Sequence, residues 1–175
     1  MVASSVVIKE IKPSAFKNKA FRDAIMRGAE AYAKELLADF EKTTETWKTE
    51  VEFEKVVDYR PKGPEVFVGT DNEIYGYVND GTDPHPIFPV RAKALRFQWG
   101  GKGSYTPKTA PRVIGSQAGG PSGPIVFRGA VWKHPGTKGR HFDEEIEKKH
   151  QPKFKRAMEK AMSDARKKSG HAIGG

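Results

Sequence analysis

The chain has 175 residues, of which 37% are hydrophobic and 30% charged, and it contains no cysteine. This length predicts a single domain spanning residues 1–175. The absence of cysteine excludes disulfide scaffolds, thiolate metal sites and cysteine nucleophiles. No apolar run approaches the ~18 residues of a membrane span, and the first residues lack the basic region of a signal peptide. We therefore expect a soluble protein made in the cytoplasm, with no membrane partner.

The positive charge of the chain is confined to one region. The formal net charge is +9, yet residues 84–142 contain no acidic residue at all. Ten basic residues lie in that region, and we call them the basic belt: Arg91, Lys93, Arg96, Lys102, Lys108, Arg112, Arg128, Lys133, Lys138 and Arg140. The rest of the chain has 21 basic and 22 acidic residues. A localised excess of one sign attracts an acidic partner, such as nucleic acid, an anionic membrane or an acidic protein surface.

The first part of the chain predicts an arm followed by a long helix. Residues 1–13 contain a short apolar stretch before a proline, which predicts an extended arm or an edge strand. Ser14 is a candidate N-cap, and apolar residues then recur at three- and four-residue spacing from Phe16 to Phe40. This pattern predicts an amphipathic helix of about 25 to 30 residues.

From residue 50 onward the apolar period changes from 3.6 to 2, which predicts β-strands. Strands are expected near residues 50–54, 66–68, 74–78, 95–99 and 125–133. Because successive strands are joined by turns, they should form a mainly antiparallel sheet of four to five strands. Residues 100–123 hold seven glycines and three prolines, which predicts a long flexible hairpin loop that projects from the sheet.

The last part of the chain returns to a helical period. Apolar residues recur from Phe142 to Ala165, and Asp143 is a candidate N-cap. Pro152 should kink this helix or divide it in two. Residues 170–175 should be disordered. The predicted fold class is therefore α+β, with long N-terminal and C-terminal helices packed on the sheet.

Few residues form a pattern typical of catalysis. His134 and His141 flank a Pro-Gly turn and are candidates for acid–base or metal chemistry, but residues 84–142 contain no carboxylate that could orient them. Asp80 and Asp83 lack the spacing of a calcium loop. The Gly/Lys/Ser cluster at residues 100–104 lacks the spacing of a phosphate-binding loop. The sequence therefore predicts no catalytic residue, no cofactor and no metal site.

Two segments together resemble a known family. Residues 74–82, Ile-Tyr-Gly-Tyr-Val-Asn-Asp-Gly-Thr, end in a sharp turn, and residues 131–142 lead through a second turn into the last helix. The second turn consists of His134, Pro135, Gly136 and Thr137. This order resembles the neck and tail-completion proteins (head–tail joining or minor tail proteins) of tailed bacteriophages. The resemblance extends over residues 14–165 in element order, with specific motif matches at residues 75–82 and 131–142.

The resemblance implies a structural virion protein without catalytic activity. Such subunits form a ring, often hexameric, between the connector and the tail tube, and genomic DNA passes through the lumen. The expected location is the neck or tail of the virion, and the host cytoplasm during assembly. The basic belt and residues 100–123 would then contact partners. The turn at His134–Thr137 would aim Phe142 into the core, because proline fixes φ and glycine adopts conformations that other residues resist.

Two other functions are open at this point. In a basic nucleic-acid-binding protein the belt would contact phosphates while Trp99, Tyr105 and Trp132 stack on bases. A small nuclease would instead use His134 and His141. Salt-dependent DNA affinity of the isolated protein would favour nucleic-acid binding, whereas concentration-dependent ring formation would favour the structural role.

Overall fold

The computed structural model of the chain describes residues 4–9, 19–129 and 131–168. Within these residues the fold is α+β, as predicted, with three helices: α1 Lys19–Thr44, α2 Glu73–Asp80 and α3 Phe142–Lys168. The candidate N-cap at Ser14, the end of the predicted arm and the tail at residues 170–175 lie outside the described residues.

The two long helices α1 and α3 pack against each other and form most of the core. Both bury the apolar face that their sequence pattern predicts, and the large side chains involved are Phe21, Ile25, Tyr32, Leu36, Phe40, Phe142, Ile146, Phe154 and Met158. The helices lie close together at Gly28 of α1, because a Cβ atom added there would lie 2.6 Å from the Cβ atom of Ala161. The absence of a side chain at Gly28 therefore sets how closely the helices approach.

α3 continues through Pro152 as one helix of 27 residues, so the predicted division into two helices is wrong. Proline within a helix costs about 3 kcal/mol or more, because it lacks an N–H donor and clashes with the preceding turn. Phe154 and Met158, which follow Pro152, are both buried. Burying two such side chains contributes about 3–6 kcal/mol, which is enough to offset the proline.

The main sheet has three antiparallel strands: β1 Ser4–Lys9, β2 Glu54–Arg60 and β3 Gly63–Thr70. β3 lies in the centre, with β1 and β2 at the edges. Val66 and Val68 of β3 are fully buried in the core shared with the long helices. An edge strand within residues 1–13 is thereby confirmed, whereas the expected sheet of four to five strands is wrong, since no sheet in the described residues has more than three.

The strand predicted at residues 74–78 is also wrong, because these residues belong to α2. The side chain of Asn72 caps this helix by accepting a hydrogen bond from the backbone N–H of Tyr75, at 3.0 Å. Tyr75 and Asn79 are buried and lie four residues apart, which is one helical turn. The alternation of five residues was too short to distinguish the two periods, and the Asn72 cap was the overlooked helix signal.

The residues between α2 and α3 form four short antiparallel pairs nested within one another. β4 Gly81–Thr82 pairs with β11 Thr137–Lys138, and β5 His85–Ile87 pairs with β10 Trp132–His134. Further along, β6 Leu95–Gln98 pairs with β9 Ile125–Arg128, and β7 Tyr105–Thr106 pairs with β8 Gly120–Pro121. We call residues 81–138 the nested segment. The strands predicted at residues 95–99 and 125–133 are found here, the second as the separate strands β9 and β10.

The tip of the nested segment returns to the body of the molecule. The hydroxyl of Ser116 donates a hydrogen bond to the backbone carbonyl of Thr43 at the end of α1, at 2.9 Å. Thr109 is buried, and Ile114 packs against the core. The expectation that residues 100–123 project freely from the sheet is therefore wrong.

Candidate functional site

The two segments that resemble the phage family lie against each other. β4 and β11 are paired so that Thr82 lies opposite Thr137. The hydroxyl oxygen of Thr82 also accepts a hydrogen bond from the backbone N–H of Thr137, at 3.0 Å. We call this contact between residues 75–82 and residues 131–142 the motif junction.

The turn at His134–Thr137 closes the motif junction and requires glycine. Gly136 has a φ of 88°, which glycine adopts without strain. A Cβ atom at this position would also collide with the backbone carbonyl oxygen of Thr82. The Nδ1 atom of His134 accepts a hydrogen bond from the N–H of Gly136 at 3.1 Å, and its ring stacks on His85 with 5.0 Å between the ring centroids. His134 therefore supports the turn.

Asn79 of α2 connects the junction to the start of α3. Its side chain is buried, and its Oδ1 atom accepts the backbone N–H of Phe142 at 2.8 Å and that of Asp143 at 3.4 Å. Its backbone carbonyl accepts the N–H groups of Arg140 and His141. The cap of α3 thus comes from another helix. The prediction that Asp143 is the N-cap is wrong, since Asp143 lies inside the first turn.

The two histidines considered for catalysis are held by different neighbours. The Nδ1 atom of His141 lies 3.3 Å from a carboxylate oxygen of Glu144, whereas His134 stacks on His85. Glu144 lies two residues after the acid-free region 84–142, so the search for an orienting carboxylate within that region missed it. Among the described residues, no group of three or more histidine, aspartate or glutamate side chains is placed so that it could hold a metal ion.

Three residues of the basic belt hold the tip of the nested segment to the body. Arg140 is only 8% exposed, and its Nε donates to the hydroxyl of Thr109 at 3.1 Å. Arg112 forms an ion pair with Glu145 of α3 at 2.9 Å. Lys108 donates to a backbone carbonyl just after α1 at 2.5 Å. These three side chains make contacts within the molecule.

The other seven belt residues face the solvent. They are Arg91, Lys93, Arg96, Lys102, Arg128, Lys133 and Lys138. Within the described part of the chain none of the seven forms an ion pair. The guanidinium group of Arg128 lies 5.8 Å from the ring centroid of Trp132, which is a cation–π contact. The basic belt therefore divides into an internal set and an external set.

The pair of strands β6 and β9 has two different faces. On one face Phe97 meets Trp132 edge-on with 4.9 Å between ring centroids, and Trp99 meets Trp132 at 5.7 Å. These tryptophans contact each other, which leaves them less available to stack on bases. The opposite face, which we call the ribbon face, consists of Arg96, Gln98, Ile125 and Phe127. Phe127 is 64% exposed.

Sequence analysis missed a buried polar network between α1 and α3. The Nε2 atom of His150 lies 2.7 Å from the Oδ2 atom of Asp39, and its Nδ1 atom lies 2.5 Å from the hydroxyl of Tyr32. Lys149 reaches the same Oδ2 atom at 2.5 Å. Tyr32 and Asp39 are seven residues apart and so share one face of α1. The sequence signals of this network were Asp39 on the apolar face of α1 and His150 between Ile146 and Phe154 on the apolar face of α3.

Burial and hydrogen bonding together determine the protonation of this network. Burial alone would raise the pKa of Asp39, but hydrogen bonds from Lys149 and His150 outweigh it and lower that pKa to about 2. Burial lowers the pKa of His150, and the neighbouring Asp39 carboxylate offsets only part of that effect. A neutral ring whose Nε2–H donates to Asp39 leaves Nδ1 to accept the Tyr32 hydroxyl. Because Tyr32, Asp39 and His150 are all buried, the network joins the helices inside the core.

Comparisons with models of known protein families, with curated proteins and with solved structures found no match to this chain. Among the described helices, none combines the length and the apolar character needed to cross a membrane. The resemblance to phage proteins accordingly depends on the two motif segments themselves.

Proposed function

We propose that this chain is a structural subunit of the neck or tail-completion region of a tailed bacteriophage, which forms a ring and catalyses no reaction. The observation that carries the proposal is the motif junction. The two segments that resemble the family, residues 75–82 and 131–142, are distant in sequence but paired in the fold. Asn79 from the first segment caps the helix that follows the second. The resemblance therefore concerns one physical unit, because the two motifs depend on each other.

Exposed apolar side chains support an assembling subunit. Among the described residues ten large hydrophobic side chains are exposed, and seven of them lie between residues 88 and 131. These seven are Phe88, Val90, Tyr105, Val113, Ile125, Phe127 and Val131. Apolar side chains concentrated in one region of a surface mark sites of protein contact. The same stretch carries five of the seven external basic residues, so a partner should be both apolar and acidic.

Oligomeric state tests the proposal directly. We expect the purified chain to form closed rings of one stoichiometry, with six subunits as the first expectation, and a monomer fraction that grows on dilution. Size-exclusion chromatography with light scattering gives the mass, and negative-stain imaging shows whether the particles are closed.

Nucleic-acid binding is the competing outcome of the same experiment. A chain that stays monomeric at every concentration and binds a short DNA duplex with an affinity that falls steeply with salt would contradict the ring proposal. Rings that bind duplex DNA weakly agree with it, because a channel for DNA must let the DNA slide.

A further inference from the structure

The chain carries two exposed surfaces of opposite charge. The first is the ribbon face, which carries Arg96 in a region without any acidic residue, with Lys93 two residues before the start of β6. The second is the outer side of α2, which we call the acidic face. Residues 63–90 contain five acidic residues and no lysine or arginine. The exposed members of the acidic face are Asp71, Glu73, Ile74, Tyr77 and Asp80.

Both surfaces combine charge with exposed apolar groups. Ile74 and Tyr77 on the acidic face are 53% and 56% exposed. On the ribbon face Ile125 and Phe127 are 47% and 64% exposed. A few side chains, often aromatic, supply most of the affinity of a protein interface, while charges select the partner. Each face has one exposed aromatic side chain, Tyr77 or Phe127, beside charged groups.

The charged groups of both faces are available for a partner. Among the described residues no ion pair involves Lys93 or Arg96 on the ribbon side, or Asp71 or Glu73 on the α2 side. All four side chains are exposed. These four charges have one sign on each face, and the two signs are complementary. Lys48 and Lys108 line the pocket beside Ile74 at the edge of the acidic face.

We infer that the ribbon face of one subunit binds the acidic face of a second copy of the same chain. Two different faces in contact make a heterologous, head-to-tail interface, and such an interface closes into a ring when its rotation permits. This inference rests on the proposed ring function and identifies the surfaces that would build the ring. The occupant of the ribbon face is then the α2 helix of the neighbouring subunit, packed through Ile74 and Tyr77.

Charge reversal on each face tests the inference. The variant Lys93→Glu/Arg96→Glu and the variant Asp71→Lys/Glu73→Lys should each lose self-association, with an apparent dissociation constant raised at least about tenfold for charges that come into contact. The control Lys155→Glu/Lys160→Glu makes the same charge change as the first variant on the exposed side of α3, and Glu144→Lys/Glu147→Lys matches the second variant at exposed positions of the same helix. Both controls should associate as the unaltered chain does. Melting curves verify that each variant folds.

Mixing the two reversed variants provides the decisive measurement. Each reversed ribbon face then meets a reversed acidic face, and each native face meets a native face, so assemblies of alternating subunits should form. Light scattering of the equimolar mixture should recover the mass of the unaltered assembly. Reversals that leave the assembly intact, or variants that stay apart when mixed, would overturn the inference.

A second pair of variants keeps the test independent of charge. Phe127→Ser and Tyr77→Ser each remove an exposed aromatic group from one face, and each should weaken association without lowering thermal stability. Val56→Ser is the control, because Val56 is 52% exposed but lies on β2, outside both faces. If Phe127→Ser and Tyr77→Ser have the same dissociation constant for self-association as Val56→Ser, the inference is wrong.

The outcomes separate this interface from the proposed function. Rings that persist after both reversals leave the ring function in place and exclude these faces as its interface. Open chains or dimers that dissociate on reversal support the interface and contradict the ring. A chain that is monomeric at every concentration contradicts both.

Discussion

Single residues of this protein take their roles from distant parts of the chain. Asn79 lies at the end of α2, yet its side chain caps α3 by accepting the N–H of Phe142. Arg140 belongs to a basic surface by sequence, yet it is buried and bonded to Thr109. The residue type determines which hydrogen bonds a side chain can form, and the fold determines which residue is its partner.

The cap at Asn79 gives a prediction. Asn79→Ala removes the acceptor for the N–H of Phe142 and leaves that buried donor without its partner. We expect the free energy of unfolding to fall by about 1–3 kcal/mol, the cost of an unsatisfied buried donor. Urea unfolding followed by circular dichroism measures the change.

Asn72→Ala is the matched control, since Asn72 caps only its own short helix. Loss of such a local cap costs about 0.5–2 kcal/mol. A loss for Asn79→Ala no greater than that for Asn72→Ala would show that the contact between α2 and α3 adds nothing to the cap.

At the scale of elements, the contact between α1 and α3 combines apolar packing with the buried network of Tyr32, Asp39 and His150. Because burial lowers the pKa of His150 below its usual 6.5, the unfolded chain gains a proton before the folded chain does. The free energy of unfolding should therefore decline as the pH falls below 6.5. Asp39 adds a second loss below 3.8, because its pKa in the folded chain is about 2.

The decline below neutral pH should depend on His150. His150→Gln removes the titrating ring, so the melting temperature of this variant should change less between about pH 7 and pH 5 than that of the unaltered chain. At neutral pH the variant should be less stable by about 1–3 kcal/mol, because the hydrogen bonds to Asp39 and Tyr32 are altered. If the melting temperatures of His150→Gln and of the unaltered chain change equally with pH, His150 is not the group responsible for the decline.

At the scale of the whole molecule, the nested segment contacts the body at two places, its base and its tip. Its two strand ends meet at the motif junction, and its tip bonds to the end of α1 and to Glu145 of α3. The ribbon face lies between these attachments. This arrangement holds exposed apolar and basic side chains on a framework fixed by the core.

Replacing residues 107–117 by a short Gly-Ser linker therefore should destabilise the fold. The replacement removes the bonds of Thr109, Arg112 and Ser116 to the body. We expect a loss of at least about 2 kcal/mol in the free energy of unfolding, since each such hydrogen bond contributes about 0.5–1.5 kcal/mol. Differential scanning calorimetry measures it, with Lys102→Ser at an exposed position as the control. Unchanged stability would restore the picture of a freely projecting loop.

The long elements were predictable because their patterns repeat many times. The apolar residues of α1 and α3 recur over many turns, and the two helices have 26 and 27 residues, so the pattern identifies both as helical. The eight residues of α2 were mistaken for a strand, because five alternating positions also fit a short helix. The sheet was expected to be larger because alternation indicates strands but gives no partners, and pairing here is nested in short pairs.

The sequence by itself determined the α+β class, the two long helices, the turn that contains Gly136 and the separation of charge along the chain. These properties are local or cumulative, so residue order is sufficient to reveal them. Only the tertiary structure decided that the two motif segments meet, that Asn79 caps α3, and that three belt residues bond to other parts of the molecule. Such features depend on which distant residues become neighbours. That choice is made by burial of the shared core, which sums contributions from the whole chain.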